Sequence, residues 1–289
     1  MIPIRKSLKL PNIKLSYLEW NGKNNRTNNN QASTKLLLLH GLADHALVWG
    51  SLAESLSPDY HIIAPDLRGH GNSTKPNHGY TFEDIIKDLE AFLDSLQWSK
   101  IHILGHSWSG KLLPIWANKY PERFKSMILV DPIFINRMPS IFKLTLPIVY
   151  QRLDCLKGMG PFDGFAAAEL NARQLGQYSG WSELQQAVFE GGIEQKSNGM
   201  WGSKFTIAAR NQIFAAVMET PGFTQVINIP SLFIKPEKGV NRMNLQLKPY
   251  QAYLKHLNIQ NVPGNHWPFL VEPTSFNTVV RQFLAQIKQ

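Results

Sequence analysis

Residues 101–113, with the sequence IHILGHSWSGKLL, constrain the fold of this chain more than any other segment. A short apolar run predicts a buried strand, and after a turn of small residues the chain enters an apolar stretch that is compatible with a helix. A sharp turn from strand to helix can expose one side chain at the top of a sheet, and its strained backbone needs small neighbours. Ser107 lies at the centre of this turn, between Gly105 and Ser109. We therefore predict that Ser107 is a nucleophile and that the N–H of Trp108 points toward a developing oxyanion.

Two other interpretations fit the same turn. Residues 105–111 match most of a phosphate-binding loop in the same strand-to-helix context, but the next residue, which must be Ser or Thr to hold Mg²⁺, is Leu112. Alternatively, Ser107 only caps the helix that follows it. The turn also departs from the G-x-S-x-G pattern, because Ser109 stands at the position of the last glycine. We interpret this serine as a tolerated small residue.

A serine nucleophile needs a histidine base and an acid that orients it, and in this architecture the chain order is Ser, acid, His. His266, in the segment GNHWPF near the C-terminus, fits that order, although it could also be an ordinary surface histidine. Two acids end predicted strands: Asp131 in MILVDP and Glu237 in SLFIKPEKGV. The structural alternative for Asp131 is a turn cap before Pro132. The structural alternative for Glu237 is a solvated charge. We favour Asp131 as the acid, with Glu237 as the second choice.

Three other histidines have structural interpretations. His40 ends a predicted strand, His70 lies in a turn, and His106 precedes the nucleophile, where we expect it to pack or hydrogen-bond within the turn. None of them forms an H-E-x-x-H motif or another tight cluster of ligands. We therefore predict no metal site, and we expect no cofactor.

Apolar runs that predict strands alternate with helical periodicity along most of the chain. Strands are predicted near 35–40, 61–65, 100–105, 126–131, 230–235 and 257–262, after two short antiparallel strands within 8–20. Helices are predicted near 46–56, 81–97, 109–120, 242–256 and 274–287. This alternation predicts an α/β fold with a mostly parallel, eight-stranded sheet and helices on both faces.

Residues 132–230 break the alternation, because they contain helical stretches but no clear buried strand. We predict a core of residues 1–131 and 231–289, with 132–230 as a helical cap over the strand ends, where open α/β sheets bind ligands. The aromatic residues of this segment are Phe134, Phe142, Tyr150, Phe162, Phe165, Tyr178, Trp181, Phe189, Trp201, Phe205, Phe214 and Phe223. We expect most of them to form the core of the cap and a minority to line an apolar substrate pocket.

Five segments that carry these motifs resemble the α/β-hydrolase fold family. They are LLLLHGLADHALVW (36–49), HIIAPDLRGHGNS (61–73), GHSWSG (105–110), MILVDP (127–132) and GNHWPFLVEP (264–273). The resemblance covers nearly the whole chain outside residues 132–230 and implies an α/β-hydrolase fold with a helical cap inserted there. It also implies that the N–H of Leu42 joins that of Trp108 in an oxyanion hole.

The resemblance also bears on the catalytic acid. In this family the acid usually follows the seventh strand as an Asp, but here that stretch contains Glu237, Gly239 and Val240 and no Asp. Some members, including the haloalkane dehalogenase-like group, instead carry the acid after the sixth strand, which matches Asp131. The dehalogenases and epoxide hydrolases of this fold use an Asp nucleophile, so Ser107 argues against both chemistries.

The triad of Ser107, His266 and Asp131 implies a serine hydrolase, similar to carboxylesterases, that cleaves an ester or thioester bond of a hydrophobic small molecule through an acyl-enzyme. Two other functions stay open, because fold does not fix function. Similar folds support carbon–carbon bond hydrolysis or cofactor-free oxygenation with the same three residues. A receptor of this fold would bind its ligand without turnover.

Composition narrows the partners and the compartment. The net charge of +9 comes from dispersed basic residues, so we expect no nucleic-acid partner; a weak peripheral contact with acidic lipid stays open. No run approaches the roughly 20 apolar residues of a membrane-spanning helix. Cys155 is the one cysteine, which excludes internal disulfides. Together with an N-terminus that lacks an apolar signal core, it favours a cytoplasmic location.

Overall fold

The computed structural model describes residues 2–21, 34–139, 141 and 154–287. Two of the aromatic residues predicted for the cap, Phe142 and Tyr150, lie outside these ranges. The strands of the described part are β1 (Ile4–Lys9), β2 (Lys14–Asn21), β3 (Thr34–Leu39), β4 (Tyr60–Pro65), β5 (Ile101–His106), β6 (Phe124–Val130), β7 (Ile193–Gln195), β8 (Trp201–Ser203), β9 (Ser231–Lys238) and β10 (Leu257–Asn265).

Eight of these strands form one sheet, in the order β1-β2-β4-β3-β5-β6-β9-β10. The pairs β1–β2 and β2–β4 are antiparallel, and every later pair in that order is parallel. This arrangement confirms the predicted α/β fold with a mostly parallel sheet. The strand that precedes Ser107, β5, lies in the interior of the sheet with all of its residues buried, as an apolar run without polar alternation predicts.

Helices cover both faces of the sheet. The α-helices of the described part are α1 (Gly50–Leu56), α2 (Phe82–Ser95), α3 (Trp108–Lys119), α4 (Asp154–Lys157), α5 (Phe165–Ala172), α6 (Glu183–Gly192), α7 (Ile207–Glu219), α8 (Asn244–Tyr253), α9 (Pro268–Val271) and α10 (Pro273–Ile287). Leu37 and Leu39 of β3 belong to one hydrophobic cluster, while Leu36 and Leu38 belong to the cluster on the other face. This alternation is what a strand buried on both sides requires.

The segment between β6 and β9 is not purely helical, contrary to the prediction. β7 and β8 form a small antiparallel ladder of their own, separate from the main sheet. Each has only three residues, too short to give a recognisable apolar run. Six of the predicted cap aromatics surround a cluster of small and aliphatic side chains between this ladder and α5 and α6: Phe162, Phe165, Tyr178, Trp181, Phe189 and Trp201.

Candidate active site

Ser107 occupies a strained turn between β5 and α3. Its φ of 57° and ψ of −117° lie outside the regions that a non-glycine residue usually adopts. The turn holds Gly105 so close to α3 that a Cβ atom there would lie 2.6 Å from the carbonyl oxygen of Ser109. The N–H of Ser107 donates to the carbonyl of Val130, at the end of β6 (2.9 Å). The sequence therefore places a small residue where the strand and helix approach most closely.

The two competing interpretations of this turn are wrong. The side chain of Ser107 makes no capping hydrogen bond to α3. β5 ends at His106 and α3 begins at Trp108, so a single residue separates them. A phosphate-binding loop needs several backbone N–H groups wrapped around an anion, and this turn has no such loop.

His266 follows β10 directly and lies beside Ser107. Its Nε2 is 2.9 Å from the Ser107 Oγ, and its Nδ1 is 2.6 Å from Oδ2 of Asp131. Because the ionised carboxylate can only accept, Nδ1 carries the proton and Nε2 accepts from the serine hydroxyl. These three side chains therefore form a continuous hydrogen-bonded chain.

Asp131 is fully buried at the end of β6. Besides the His266 ring, its carboxylate accepts from the N–H of Val240 (2.8 Å) and from both the N–H and the side-chain amide of Asn241 (3.2 and 2.8 Å). Burial opposes ionisation, but the hydrogen bonds from His266, Asn241 and Val240 outweigh it and hold the pKa of Asp131 below its usual value. The carboxylate is thus ionised where it meets the histidine, and it does not act as a turn cap.

Glu237, the second-choice acid, has an exposed side chain near the end of β9. It takes no part in the hydrogen-bonded chain of Ser107, His266 and Asp131. The loop after β9 instead approaches Asp131 through its backbone: a Cβ atom on Gly239 would lie 2.5 Å from the Asp131 Oδ2. This stretch therefore supplies donors to the carboxylate rather than a carboxylate of its own.

The two predicted oxyanion donors border the same cavity as Ser107. Within the described ranges, neither the N–H of Leu42 nor that of Trp108 has a hydrogen-bond partner. Leu42 belongs to the loop after β3, where Ala43 has a φ of 62°. Trp108 is the first residue of α3, where backbone N–H groups have no partner inside the helix. Both groups are free to donate to a ligand atom.

Ser109, the departure from the glycine pattern, has a specific role. Its buried hydroxyl donates to the carbonyl of His40 at the end of β3, at 2.6 Å. Nε2 of His40 in turn accepts from the N–H of Leu67 (3.0 Å). The serine therefore links the nucleophile helix to the loop that carries Leu42, a contact that glycine could not make.

An apolar cavity of about 60 Å³ lies over Ser107 and His266. The other residues that line it are Leu42, Trp108, Ile133, Ile213, Phe214, Val217, Val240 and Trp267. Three of these come from α7, in the segment between β6 and β9. Of the predicted cap aromatics in the described part, Phe214 is the one that lines this cavity. Among the described residues that line it, His266 carries the one ionisable side chain.

Three features of the site were not predicted from the sequence. Asn241 binds Asp131, His106 donates from Nε2 to the carbonyl of His266 (2.7 Å), and Lys111 is fully buried one turn after Ser107. A lysine inside an apolar helix was a usable signal for the burial of Lys111. The first two depend on partners more than 100 residues away in the chain, which local patterns do not reveal.

Within the described residues the chain has neither a candidate metal site nor a candidate membrane-spanning helix. No three His, Cys, Asp or Glu side chains come together in an arrangement that could hold a metal ion. In the same ranges, no helix combines the length and the apolar character needed to cross a membrane.

A family model for the alpha/beta hydrolase fold matches residues 35–273, and the chain belongs to this family. Two of its relatives are mouse Epoxide hydrolase 4 and the poly(3-hydroxyalkanoate) depolymerase of Ectopseudomonas oleovorans. The first is 35% identical over 98 residues, which are 33% of this chain and 27% of that protein. The second is 35% identical over 96 residues, which are 33% of this chain and 34% of that protein. The chain thus spans about a third of the length of these relatives, or less.

Solved structures share the fold over nearly the whole chain. E-2-(acetamidomethylene)succinate hydrolase has a TM-score of 0.81 at 22% identity and covers 98% of this chain and 100% of its own. A thioesterase domain from the curacin biosynthetic pathway has a TM-score of 0.75 at 17% identity. The match covers 97% of this chain and 99% of that domain. At these identities the likeness concerns the fold alone.

Proposed function

We propose that this protein is a serine hydrolase that cleaves an ester or thioester bond of a hydrophobic small molecule through an acyl-enzyme. One observation carries the proposal: the hydrogen-bonded chain from Ser107 through His266 to Asp131, beneath an apolar cavity. Nucleophile, base and orienting acid are each within hydrogen-bond distance of the next, as this chemistry requires.

The first half of the proposed reaction forms the acyl-enzyme. The Ser107 Oγ attacks the substrate carbonyl while Nε2 of His266 takes its proton. Asp131 keeps the imidazole in the required tautomer and stabilises the imidazolium. The carbonyl oxygen becomes an oxyanion that accepts from the N–H groups of Leu42 and Trp108, each contributing about 3–4 kcal/mol. The tetrahedral intermediate then expels the alcohol or thiol, which receives the proton from Nε2.

The second half returns the enzyme to its starting state. Nε2 of His266 takes a proton from a water molecule, and the resulting hydroxide attacks the acyl carbonyl. The same two N–H groups bind the second oxyanion. Collapse breaks the bond to the Ser107 Oγ, which regains a proton from His266 as the carboxylic acid leaves.

The lining of the cavity supports the proposed class of substrate. Its residues are aliphatic or aromatic except at the reacting centre, so it favours an uncharged hydrophobic acyl group. None of the described residues that line the cavity has a cationic side chain that would bind an anionic substrate. We also propose that residues 132–230 form a cap on a core of 1–131 and 231–289, because α7 contributes three of the residues that line the cavity. Weak peripheral contact with acidic lipid stays a proposal based on the net charge of +9.

The test is a panel of uncharged aliphatic esters and thioesters, with wild type compared with Ser107→Ala. We expect turnover of apolar substrates by the wild type and a fall in kcat of about 10⁶ in the variant. Carbon–carbon bond hydrolysis or oxygenation on the same triad would appear as different products. Tight binding of a ligand without turnover, or an unchanged rate in Ser107→Ala, would refute the proposal.

A further inference from the structure

Lys111 carries a buried amino group on the helix that follows Ser107. It lies on α3, one turn after Ser107, and its side chain is fully buried. Its Nζ donates to the carbonyl oxygens of Phe134 (2.5 Å) and Val217 (2.6 Å), with a longer contact to that of Asn136 (3.4 Å). No carboxylate of the described residues forms an ion pair with it. Backbone carbonyls are therefore its partners.

These carbonyls belong to the two ends of the segment between β6 and β9. Phe134 and Asn136 lie where the chain leaves β6, and Val217 lies in the last turns of α7. The two ends also run together, because the N–H of Met138 donates to the carbonyl of Met218 at 2.9 Å. A second link joins the N–H of Gly222 to the carbonyl of Ile135 (2.7 Å). The hydrogen bonds of Lys111 join these two paired ends to α3.

A lysine at this position is costly, and this points to a role. Burial lowers the pKa of Lys111 to about 7. The N–H groups of the lysine side chain donate to these carbonyl oxygens, whereas an apolar side chain of similar length would leave the oxygens without this donor. The hydrogen bonds of Lys111 therefore join α3 to two separate backbone segments and satisfy their carbonyl groups, which hydrophobic packing cannot do.

The same two segments form part of the wall of the substrate cavity that Ser107 also lines. Ile133 precedes the first anchored carbonyl, while Ile213, Phe214 and Val217 project from the anchored helix into the cavity. We infer that Lys111 is a positioning and specificity-determining residue, whose hydrogen bonds hold this wall over Ser107 and so limit the length of the acyl group. The limit on acyl length depends on the proposed hydrolase function, whereas the anchoring does not.

Hydrogen exchange measured by mass spectrometry tests the anchoring without any substrate. Lys111→Met removes the donors at nearly constant volume, and Lys111→Gln keeps an amide donor and covers the case in which the first variant does not fold. Lys119→Met is the matched control, because that lysine is exposed on the same helix, where it pairs with Glu83. We expect exchange of 133–138 and 213–219 to be about tenfold faster in the Lys111 variants and unchanged in the control. Exchange equal to that of the wild type in both Lys111 variants would overturn the inference.

A series of esters with acyl chains of increasing length tests the specificity. We expect the ratio of kcat/KM for long over short chains to rise about tenfold in the Lys111 variants relative to Lys119→Met. An equal loss for every chain length, or an unchanged ratio, would contradict a role in specificity. Wild type that turns over no ester would instead count against the proposed function. The exchange result would still decide whether Lys111 anchors the wall.

Discussion

The charge on Asp131 is the least replaceable feature of the site at the scale of single residues. A buried carboxylate is stable only when hydrogen-bond donors surround it, and four donor groups point at this one. Three of the four belong to Val240 and Asn241, in the loop after β9. The effect of the Asp131 charge on catalysis and the effect of one donor on stability can each be measured by substitution.

Asp131→Asn should lower kcat by about 10⁴, because an amide in place of the carboxylate favours the wrong tautomer of His266. Glu237→Gln is the matched control, since it makes the same change on an exposed side chain at the end of the neighbouring strand. Steady-state kinetics on one ester checks both variants. A large loss in Glu237→Gln with an intact Asp131→Asn would reverse the assignment of the acid.

Asn241→Leu should lower the free energy of unfolding at pH 7 by about 1.5–3 kcal/mol, because it removes a hydrogen bond to a charged group. The pKa of Asp131 is lower in the folded state than its usual value of about 3.9, so the ionised form contributes stability above that pH and the contribution disappears below it. The difference between variant and wild type should therefore shrink as the pH falls below about 4. Urea unfolding at several pH values measures it, and a difference that stays constant with pH would contradict this explanation.

At the scale of elements, the site depends on how α3 is fixed to its neighbours. The helix begins directly after Ser107, so any movement of its first turn displaces both the proposed nucleophile and the N–H of Trp108. The hydroxyl of Ser109 fixes this turn to the end of β3. The loop that carries Leu42, the second proposed oxyanion donor, starts there.

Ser109→Ala should lower the free energy of unfolding by about 1–3 kcal/mol, because it leaves the buried carbonyl of His40 without this donor. We also expect a fall in kcat with little change in KM, since the contact orients groups that act in the transition state. Ser95→Ala is a suitable control, because its hydroxyl also donates to a backbone carbonyl but lies exposed on α2. Equal effects in the two variants would show that Ser109 does not position the loop.

The way in which these elements pack also decides which residues of the site could be predicted from the sequence. The predicted nucleophile and base depended on local pattern and chain order, and the structure brings Ser107 and His266 to hydrogen-bond distance. The acid stayed ambiguous, because strand ends alone do not say which carboxylate turns inward. β9 is the direct neighbour of β10, yet Glu237 is exposed, and Asp131 reaches His266 from β6, one strand further away. The partners of Asn241 and Lys111 depend on the packed fold and were not predictable.

At the scale of the whole molecule, three buried histidines couple stability to pH. Burial lowers the pKa of His40, His70 and His106 below the usual value of about 6.5. The folded chain therefore binds fewer protons than the unfolded chain at acidic pH. Stability from these neutral rings is present above about pH 6.5 and is lost as the pH falls below it.

His70→Phe should flatten this dependence, because phenylalanine keeps the stacking on Phe205 but cannot be protonated. Each histidine that stays neutral in the fold contributes up to about 1.4 kcal/mol per pH unit. We expect the free energy of unfolding of the wild type to fall more steeply than that of the variant between pH 6.5 and 5. Parallel curves for the two proteins would show that His70 is protonated in the folded state.

The most direct test of the account is covalent labelling of the whole protein with a fluorophosphonate, read by peptide mass spectrometry. We predict modification at Ser107 in the wild type and its loss in His266→Ala, since only an activated serine reacts at an appreciable rate. A folded wild type that stays unlabelled at Ser107, or equal labelling of both proteins, would contradict it.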